Sequence, residues 1–209
     1  MAKIHRLAWL LLLLAGCGCS TEHVVFQDLL MSDCAPPCWR GVVPGETFRQ
    51  QILDLLAEPP DTEPGLPVLE WGDRCVNGGY SLSQVKISLD LAWVAESIRL
   101  VEPANRLTFQ DAVDELGPPA LVLMTPCSPE TDLGFLYLVY PEQGIAMGSG
   151  FVPVLDRPWR QPATGTRVYQ RLYFTPIPSD RFEAQAGPIY GCGMSYGNEA
   201  SAWQGFGPE

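Results

Sequence analysis

The stretch YSLSQVKISLDL, residues 80–91, carries the clearest secondary-structure signal in the chain. Apolar side chains at 85, 87, 89 and 91 alternate with polar ones at 84, 86, 88 and 90. A period of two is typical of a strand with one buried and one wet face, as in an antiparallel sheet. The sequence therefore predicts a strand here. A reversal near Ala92-Trp93, followed by the run 94–101, predicts a hairpin.

A short helix is predicted upstream of this hairpin. Pro44-Gly45-Glu46-Thr47 leads into it, and Thr47 with Gln50 three residues later has the pattern of a capping box. Apolar residues then follow at the spacing of one buried helix face, namely Phe48, Ile52, Leu55 and Leu56. Pro59-Pro60 ends the helix, and residues 68–71 are predicted to form a short strand.

A second helix and a second set of strands are predicted downstream. Leu107-Thr108 opens this helix, with Asp111 in the third position after the Thr cap. Its predicted apolar face consists of Phe109, Val113 and Leu116, and Gly117-Pro118 ends it. The strands predicted after it are 120–124, 134–140, 144–151 and 167–175.

The two helical segments suggest an internal repeat. Thr47-Phe48 and Thr108-Phe109 lie 61 residues apart, and the pairs Ile52/Val113 and Leu55/Leu116 keep that offset. The fold class predicted from this pattern is α+β, with two degenerate repeats of a short helix followed by an antiparallel β-meander. We assign residues 34–104 to the first repeat and 105–175 to the second, and residues 176–209 to an irregular tail packed on the domain.

A family resemblance appears at the same residues. Pro44-Gly45-x-Thr47 in the first copy and Leu116-Gly117-Pro118 in the second resemble the repeat of the small lipoprotein of the outer-membrane β-barrel assembly machine. The repeat of the β-lactamase inhibitor protein is similar. Each copy lacks the other's motif, and the resemblance covers about residues 34–152. It implies a module that binds other proteins, and it carries no activity by itself.

The N-terminus has the three zones of an export signal. A basic head with Lys3 and Arg6 precedes the apolar run 7–14, which is far shorter than the roughly 20 residues needed to span a bilayer. Residues 1–16 are therefore predicted to be a signal peptide. Leu14-Ala15-Gly16-Cys17 resembles the lipobox of bacterial lipoproteins, which implies cleavage before Cys17 and a diacylglyceryl group on its sulfur. Residues 17–33 then form a tether, and the protein is expected outside the cytoplasm, anchored to a bacterial membrane by lipidated Cys17.

The charge balance restricts the partners. The chain has 13 basic and 24 acidic residues, and loss of residues 1–16 removes two basic ones, so the mature net charge is 11 − 24 = −13. Such a charge repels phosphate backbones, so no nucleic-acid partner is expected. It also disfavours a polybasic attachment to anionic lipid, which leaves the acyl chains to hold the membrane.

Six cysteines remain beside Cys17, an even number that predicts a disulfide set with fifteen possible connectivities in an exported chain. Cys34 and Cys38 are the nearest pair. An extended polyproline path between them would separate the sulfurs and a turn would join them; we favour the local bridge. Soft sulfur ligands also leave a copper-binding lipoprotein open as an alternative. The six candidates are Cys19, Cys34, Cys38, Cys75, Cys127 and Cys192.

Few catalytic devices fit this sequence. His5 leaves with the signal and His23 lies in the tether, so neither a Ser-His-Asp triad nor a His-ligated zinc site is expected in the domain. Met147-Gly148-Ser149-Gly150 lacks the spacing of a nucleophile turn and is predicted to be a loop or bulge at a strand end. Glu70 and Asp73 beside Trp71 leave a carboxylate-based hydrolase of envelope glycans as an alternative.

The remaining candidates are aromatic. Tryptophan is enriched at interface hot spots, so a contact surface is expected to include some of Trp39, Trp71, Trp93, Trp159 and Trp203. The sequence as a whole predicts a lipid-anchored, non-catalytic binding or structural module of the bacterial cell envelope. No cofactor or metal is expected, and the expected partners are the membrane, through the anchor, and another envelope protein.

Overall fold

The computed structural model describes residues 34–57, 59–73, 82–101, 106–128, 131–153, 161–182 and 199–207. They form two helices and one eight-stranded antiparallel sheet, which confirms the predicted α+β class. The helices are α1 (Arg49–Leu56) and α2 (Phe109–Leu116). The strands are β1 (Val68–Asp73), β2 (Leu82–Leu89), β3 (Ala95–Val101), β4 (Leu121–Ser128), β5 (Thr131–Tyr140), β6 (Ile145–Pro153), β7 (Val168–Phe174) and β8 (Glu199–Ala202).

The sheet order is β1-β2-β3-β7-β6-β5-β4-β8. We call residues 34–101 the first unit and residues 106–174 the second unit. The three strands of the first unit therefore lie side by side, and β3 joins them to β7 of the second unit. The predicted hairpin is confirmed, because β2 pairs with β3 around a turn at residues 90–93.

The main core lies on the face of the sheet that the two helices cover. Ile52 and Leu56 of α1 and Phe109 and Ala112 of α2 are its buried helical side chains. Inward-facing residues of the strands complete it, including Val85, Ile87, Ile98, Leu100, Leu138 and Met147. The alternation read at residues 85–89 is thus confirmed, since these positions point to the helices while Lys86 and Ser88 are only half-buried.

The second unit is buried on both faces of its sheet. Val139 and Leu138 on β5 point to opposite sides, and both are fully buried. Leu123, Phe135, Tyr137, Leu172 and Phe174 form a second cluster on the far face, where Phe182 packs against Phe174 at a ring distance of 5.8 Å. This double burial explains why β5 reads as a nearly continuous apolar run.

The start of α1 differs from the prediction by one residue. Phe48 is the N-cap, and its backbone N–H donates to the Gln51 side chain over 3.0 Å. Thr47 accepts from the Val43 N–H over 2.8 Å and so closes the preceding turn instead of capping the helix. The prediction of a Thr47–Gln50 capping box was therefore wrong, because the threonine hydroxyl finds a backbone donor before the helix begins.

The predicted cap of α2 is confirmed. The Asp111 N–H donates to the Thr108 hydroxyl over 3.2 Å, and the Asp111 carboxylate accepts from the Thr108 N–H over 2.8 Å. Hydrogen bonds from the side chain and backbone of Thr108 hold the pKa of Asp111 below its usual value. Asp111 is thus a structural cap, as the sequence indicated.

Each helix start is tied to a strand by the same hydrogen bonds. In the first unit these are Arg49 N to Trp93 O (2.8 Å), Ala95 N to Thr47 O (2.9 Å) and Trp93 N to Asp90 O (3.0 Å). In the second unit they are Phe109 N to Thr166 O (2.8 Å), Val168 N to Leu107 O (2.8 Å) and Thr166 N to Ala163 O (3.1 Å). The helices therefore correspond at an offset of 60 residues (49 to 109), and β3 and its turn correspond to β7 at an offset of 73 (93 to 166). The 61-residue pairing was one position off, and a duplicated repeat stays a prediction.

The tail was predicted to be irregular, and this was wrong for one segment. Residues 199–202 form β8, which pairs antiparallel with β4 and makes one edge of the sheet. A single 3₁₀ turn at Ser179–Arg181 precedes the buried Phe182. Within the described residues, no helix is long and apolar enough to cross a membrane.

Candidate functional site

The structure divides the predicted binding tryptophans. Trp39 and Trp71 are fully buried in the main core, so they are not surface aromatics and the contact role predicted for them is wrong. Trp203 is half-buried at the edge of that core, where it meets Phe206 edge-on at 5.0 Å. Trp93 is exposed. Trp159 lies outside the described residues.

Among the described side chains, the carboxylate of Glu70 does not share a face of the sheet with Trp71. Glu70 and Trp71 are successive residues of β1 and point to opposite faces of the sheet. Trp71 is buried under the helices, whereas Glu70 pairs with Lys86 on β2 at 2.9 Å. Asp73 ends β1, and its side chain is outside the described part of the structure. Trp71 is therefore not available to stack on a sugar beside Glu70.

The Met147–Gly150 segment is a β-bulge inside β6, close to the predicted loop or bulge. The buried Ser149 hydroxyl accepts from the Leu136 N–H at 3.0 Å and donates to the Gly150 carbonyl at 2.7 Å. Gly148 leaves room for its neighbours, since a Cβ there would lie 2.5 Å from the Tyr137 ring and 2.6 Å from Gln170. These residues have a packing role, and Ser149 has no base beside it among the described residues.

The predicted local disulfide is present. Cys34 and Cys38 are bonded with their Cα atoms 5.6 Å apart, and the turn between them is closed by the Cys38 N–H donating to Ala35 O. Cys127 belongs to β4, and its side chain is outside the described part of the structure. Cys17, Cys19, Cys75 and Cys192 lie outside the described residues as well. In the described ranges, no three His, Cys, Asp or Glu side chains are grouped as a metal site would need.

Four exposed apolar side chains belong to neighbouring segments of the first unit, the start of α1, its last turn and the β2–β3 turn, and we call them the apolar cluster: Phe48, Leu55, Leu91 and Trp93. Leu91 is completely exposed at the β2–β3 turn, and the other three are 40–53% exposed. Phe48 forms a β-bridge with Val94, which places it beside the turn. Leu55 lies seven residues after Phe48, on the same side of α1.

The turn that carries Leu91 and Trp93 is held firmly. Asp90 accepts hydrogen bonds from Ala92 N at 2.8 Å and Val94 N at 2.9 Å. Trp93 takes a positive φ of 64°, and its carbonyl accepts from the Arg49 N–H at the start of α1. The Arg49 guanidinium also lies 5.8 Å from the centre of the Trp93 ring. The Trp93 indole is thus held in an exposed position, because its turn is fixed by hydrogen bonds to the adjoining strands and to the start of the helix.

The second unit provides an internal comparison for this cluster. The matched hydrogen bonds place Thr108, Glu115, Thr164 and Thr166 at the positions of Phe48, Leu55, Leu91 and Trp93. All four counterparts are polar, although the same helix start and turn are formed. The fold therefore does not require apolar side chains at these positions, and their presence in the first unit needs a different reason.

An open groove adjoins the apolar cluster. It has a volume of about 540 Å³ and runs between α1 and the segment before it. Gly41, Val43 and Glu46 line one side, and Gln51, Asp54 and Leu55 line the other. Leu55 belongs to both the groove and the apolar cluster, so the two form one continuous surface.

In the interior the second unit also differs from the first, because polar side chains stand where the first unit has buried apolar ones. Arg171 and Tyr173 of β7 occupy the positions of the buried Ile98 and Leu100 of β3. The Arg171 Nη1 donates to the Tyr173 hydroxyl at 3.2 Å, and its Nη2 lies 3.9 Å from the Glu115 carboxylate on α2. Arg171 is only 4% exposed, and its Nε has no hydrogen-bond partner among the described residues.

Tyr140 completes this group, which we call the polar cluster: Arg171, Tyr173, Glu115 and Tyr140. Tyr140 pairs with Ile145 as Trp71 pairs with Val85, so it holds the place of Trp71. Its hydroxyl is buried without a hydrogen-bond partner in the described ranges. Burial, and secondarily the Glu115 charge, raise the pKa of Tyr140 above its usual value.

Fold and site together define an α+β domain with a surface apolar cluster, an adjoining groove and a polar cluster that is buried except at Glu115. No protein-family model matches the chain, and neither the curated proteins nor the solved structures give a match. Any assignment of function therefore depends on the geometry of this chain.

Sequence reasoning missed three of the four residues in the apolar cluster. Phe48 and Leu55 were assigned to the buried face of α1, and Leu91 to the buried face of its strand; all three are exposed. The helical period alone does not show how wide an arc the sheet covers. The 60-residue offset would have given a signal, because it pairs Phe48 with Thr108 and Leu55 with Glu115.

Proposed function

We propose that this protein is a lipid-anchored, non-catalytic binding module of the bacterial cell envelope, tethered by Cys17, whose apolar cluster contacts another envelope protein. The observation that carries the proposal is the exposed apolar cluster, whose counterparts in the second unit are all polar. Large apolar side chains on a rigid turn lose little conformational entropy when they bind. Tryptophan is among the residues that most often dominate the binding energy of protein interfaces, and aromatic side chains as a class are enriched in interface cores.

The net charge of the chain restricts the kind of partner surface that it can bind. After loss of residues 1–16 the net charge is 11 − 24 = −13, so the protein repels acidic surfaces and the partner presents a neutral or basic contact region. A protein surface fits better than an anionic lipid surface for the same reason.

Photo-crosslinking in living cells tests the proposal. A photoreactive amino acid at position 91 of the full-length chain should give one reproducible protein adduct, identified by mass spectrometry. The same amino acid at the matched position 164 should not give that adduct. Trp93→Ala should reduce the adduct at position 91 strongly, because a hot-spot tryptophan contributes about 2 kcal/mol or more, roughly 30-fold in affinity.

Leu133→Ala is the matched control, since Leu133 is 42% exposed on β5, away from the cluster. It should leave the adduct unchanged at equal protein abundance. Adducts with lipid alone, or a protein adduct indifferent to Trp93→Ala, would contradict the proposal.

The anchor is tested separately. Cys17→Ser should abolish labelling by a fatty-acid analogue and leave the precursor uncleaved by the lipoprotein-specific peptidase. Labelling that persists in this variant would rule out Cys17 as the lipidated residue.

A further inference from the structure

The groove beside α1 has walls that are fixed before any partner arrives. Thr47 is bonded twice to Val43, through the Val43 N–H to its hydroxyl at 2.8 Å and through its own N–H to the Val43 carbonyl at 3.0 Å. The Gly45 N–H donates to the Ala95 carbonyl at 2.7 Å, which ties this wall to β3. The opposite wall is the helix itself. A groove that is already ordered loses little conformational entropy when a partner binds.

The floor of the groove is apolar and open. Val43 and Leu55 supply its apolar surface, and Leu55 is half exposed there. Gly41 keeps the floor accessible, because a Cβ at this position would already lie 3.4 Å from Leu55. Its φ of +80° also favours glycine over a larger residue. An aliphatic side chain of a partner therefore has a surface to cover.

The rim carries negative charge only. Glu46 and Asp54 are exposed carboxylates on opposite sides, and none of the residues lining the groove is basic. Neither carboxylate forms an ion pair with a described cation; Asp54 accepts only from Gln50 on its own helix, at 3.1 Å. Both carboxylates are free to meet positive charge from outside the domain.

The second unit again lacks this chemistry. Arg106 stands at the position of Glu46, directly before the residue whose carbonyl accepts the strand N–H. Glu115 stands at the position of Leu55. An apolar floor between two carboxylates is therefore particular to the first unit.

We propose that this groove binds a basic peptide segment of the partner protein. An aliphatic side chain of that segment covers Val43 and Leu55, and its lysine or arginine side chains pair with Glu46 and Asp54. The inference rests on the proposed function, because Leu55 joins the groove to the apolar cluster and one partner would cover both.

Peptide binding tests this inference directly. The full-length protein in nanodiscs of neutral lipid is titrated against a labelled ten-residue peptide of alternating leucine and lysine, and fluorescence anisotropy is followed. A peptide of alternating leucine and glutamine is the neutral comparison. At low salt the basic peptide should bind at least tenfold more tightly, and added salt should weaken its binding.

The decisive variant is Glu46→Gln with Asp54→Asn, which removes both rim charges without changing side-chain size. It should lower the affinity for the basic peptide about tenfold. Glu142→Gln with Asp180→Asn is the matched control, since it removes two exposed carboxylates outside the groove. The control should change affinity less than twofold. Equal losses of affinity in both double variants would show that the peptide responds only to the net charge of the protein and would contradict the inference. An unchanged affinity in the groove variant would also overturn it.

The two proposals fail in different ways. If Trp93→Ala abolishes the crosslinked adduct while the groove variant binds the basic peptide normally, the binding module stands and the groove assignment falls. If the groove variant loses the peptide but the adduct at position 91 is indifferent to Trp93→Ala, the proposed contact surface is the part that fails.

Discussion

Replacing the buried Arg171 with leucine should stabilise the protein. The Arg171 side chain is 5% exposed, its hydrogen bond to the Tyr173 hydroxyl is 3.2 Å long, and its carboxylate partner Glu115 is 3.9 Å away and 57% exposed. Its Nε has no partner among the described residues. A buried unsatisfied donor costs roughly 1–3 kcal/mol, and a buried cation carries a desolvation penalty of roughly several kcal/mol, whereas the Glu115 left behind is already solvated.

These terms outweigh the hydrogen bond that is lost, which contributes about 1 kcal/mol. We therefore expect Arg171→Leu to raise the free energy of unfolding by about 1–2 kcal/mol. The counterpart Ile98 shows that an aliphatic side chain fits this position of the strand when it faces the helices. Urea denaturation followed by tryptophan fluorescence measures the change.

The reciprocal variant Ile98→Arg is the control. It buries a cation where no carboxylate has been provided, and it should destabilise the protein by about 3–5 kcal/mol or prevent folding. A loss of more than about 1 kcal/mol in Arg171→Leu would refute the reasoning, because it would mean that the guanidinium makes a net favourable contribution to folding.

Three further perturbations test the core. Gly148→Ala should destabilise the protein by about 1–3 kcal/mol in thermal unfolding, because the new Cβ meets Tyr137 at 2.5 Å; an unchanged Tm would contradict this. Ile52→Asp should prevent folding, whereas Leu55→Asp, at a half-exposed position of the same helix, should change stability by about 0.5 kcal/mol or less; similar circular dichroism melts for the two would be inconsistent with the burial of α1. Burial raises the pKa of both Tyr137 and Tyr140, so the folded state retains these protons above pH 10 while the unfolded state loses them; stability should fall as pH rises beyond that point, by up to about 2.7 kcal/mol per pH unit for the two, and a flat profile in alkaline urea titrations would contradict it.

Part of the fold followed directly from local sequence. The Thr108 and Asp111 cap and the alternation at residues 85–89 depend on interactions within a few residues, and both were predicted correctly. The Cys34–Cys38 bridge was favoured for the same reason, since only a turn over four residues was needed.

The rest depended on partners distant in the chain. Residues 199–202 contain no large apolar side chain and become a strand only because β4 offers an edge to pair with. Trp71 lies on a short strand, and its burial is decided by the helices placed over its face of the sheet. Phe48 was assigned to the core because the helical period does not show how wide an arc of α1 the sheet covers.

At the corrected offset, the two units carry different types of side chain at matched positions, both in the core and on the surface. Where the first unit has Ile98 and Leu100 inside, the second has Arg171 and Tyr173. Where the first unit exposes Phe48 and Trp93, the second has half-buried threonines. A buried arginine weakens folding or leaves it unchanged, and an exposed tryptophan adds little to it, so neither departure is explained by stability. The exposed apolar residues of the first unit form one surface with a groove, which is what a binding role requires. The buried Arg171 and Tyr173 of the second unit are covered by α2. A partner should therefore be sought at the first unit. Replacing its exposed apolar residues with the residues at the matching positions of the second unit should abolish binding of that partner.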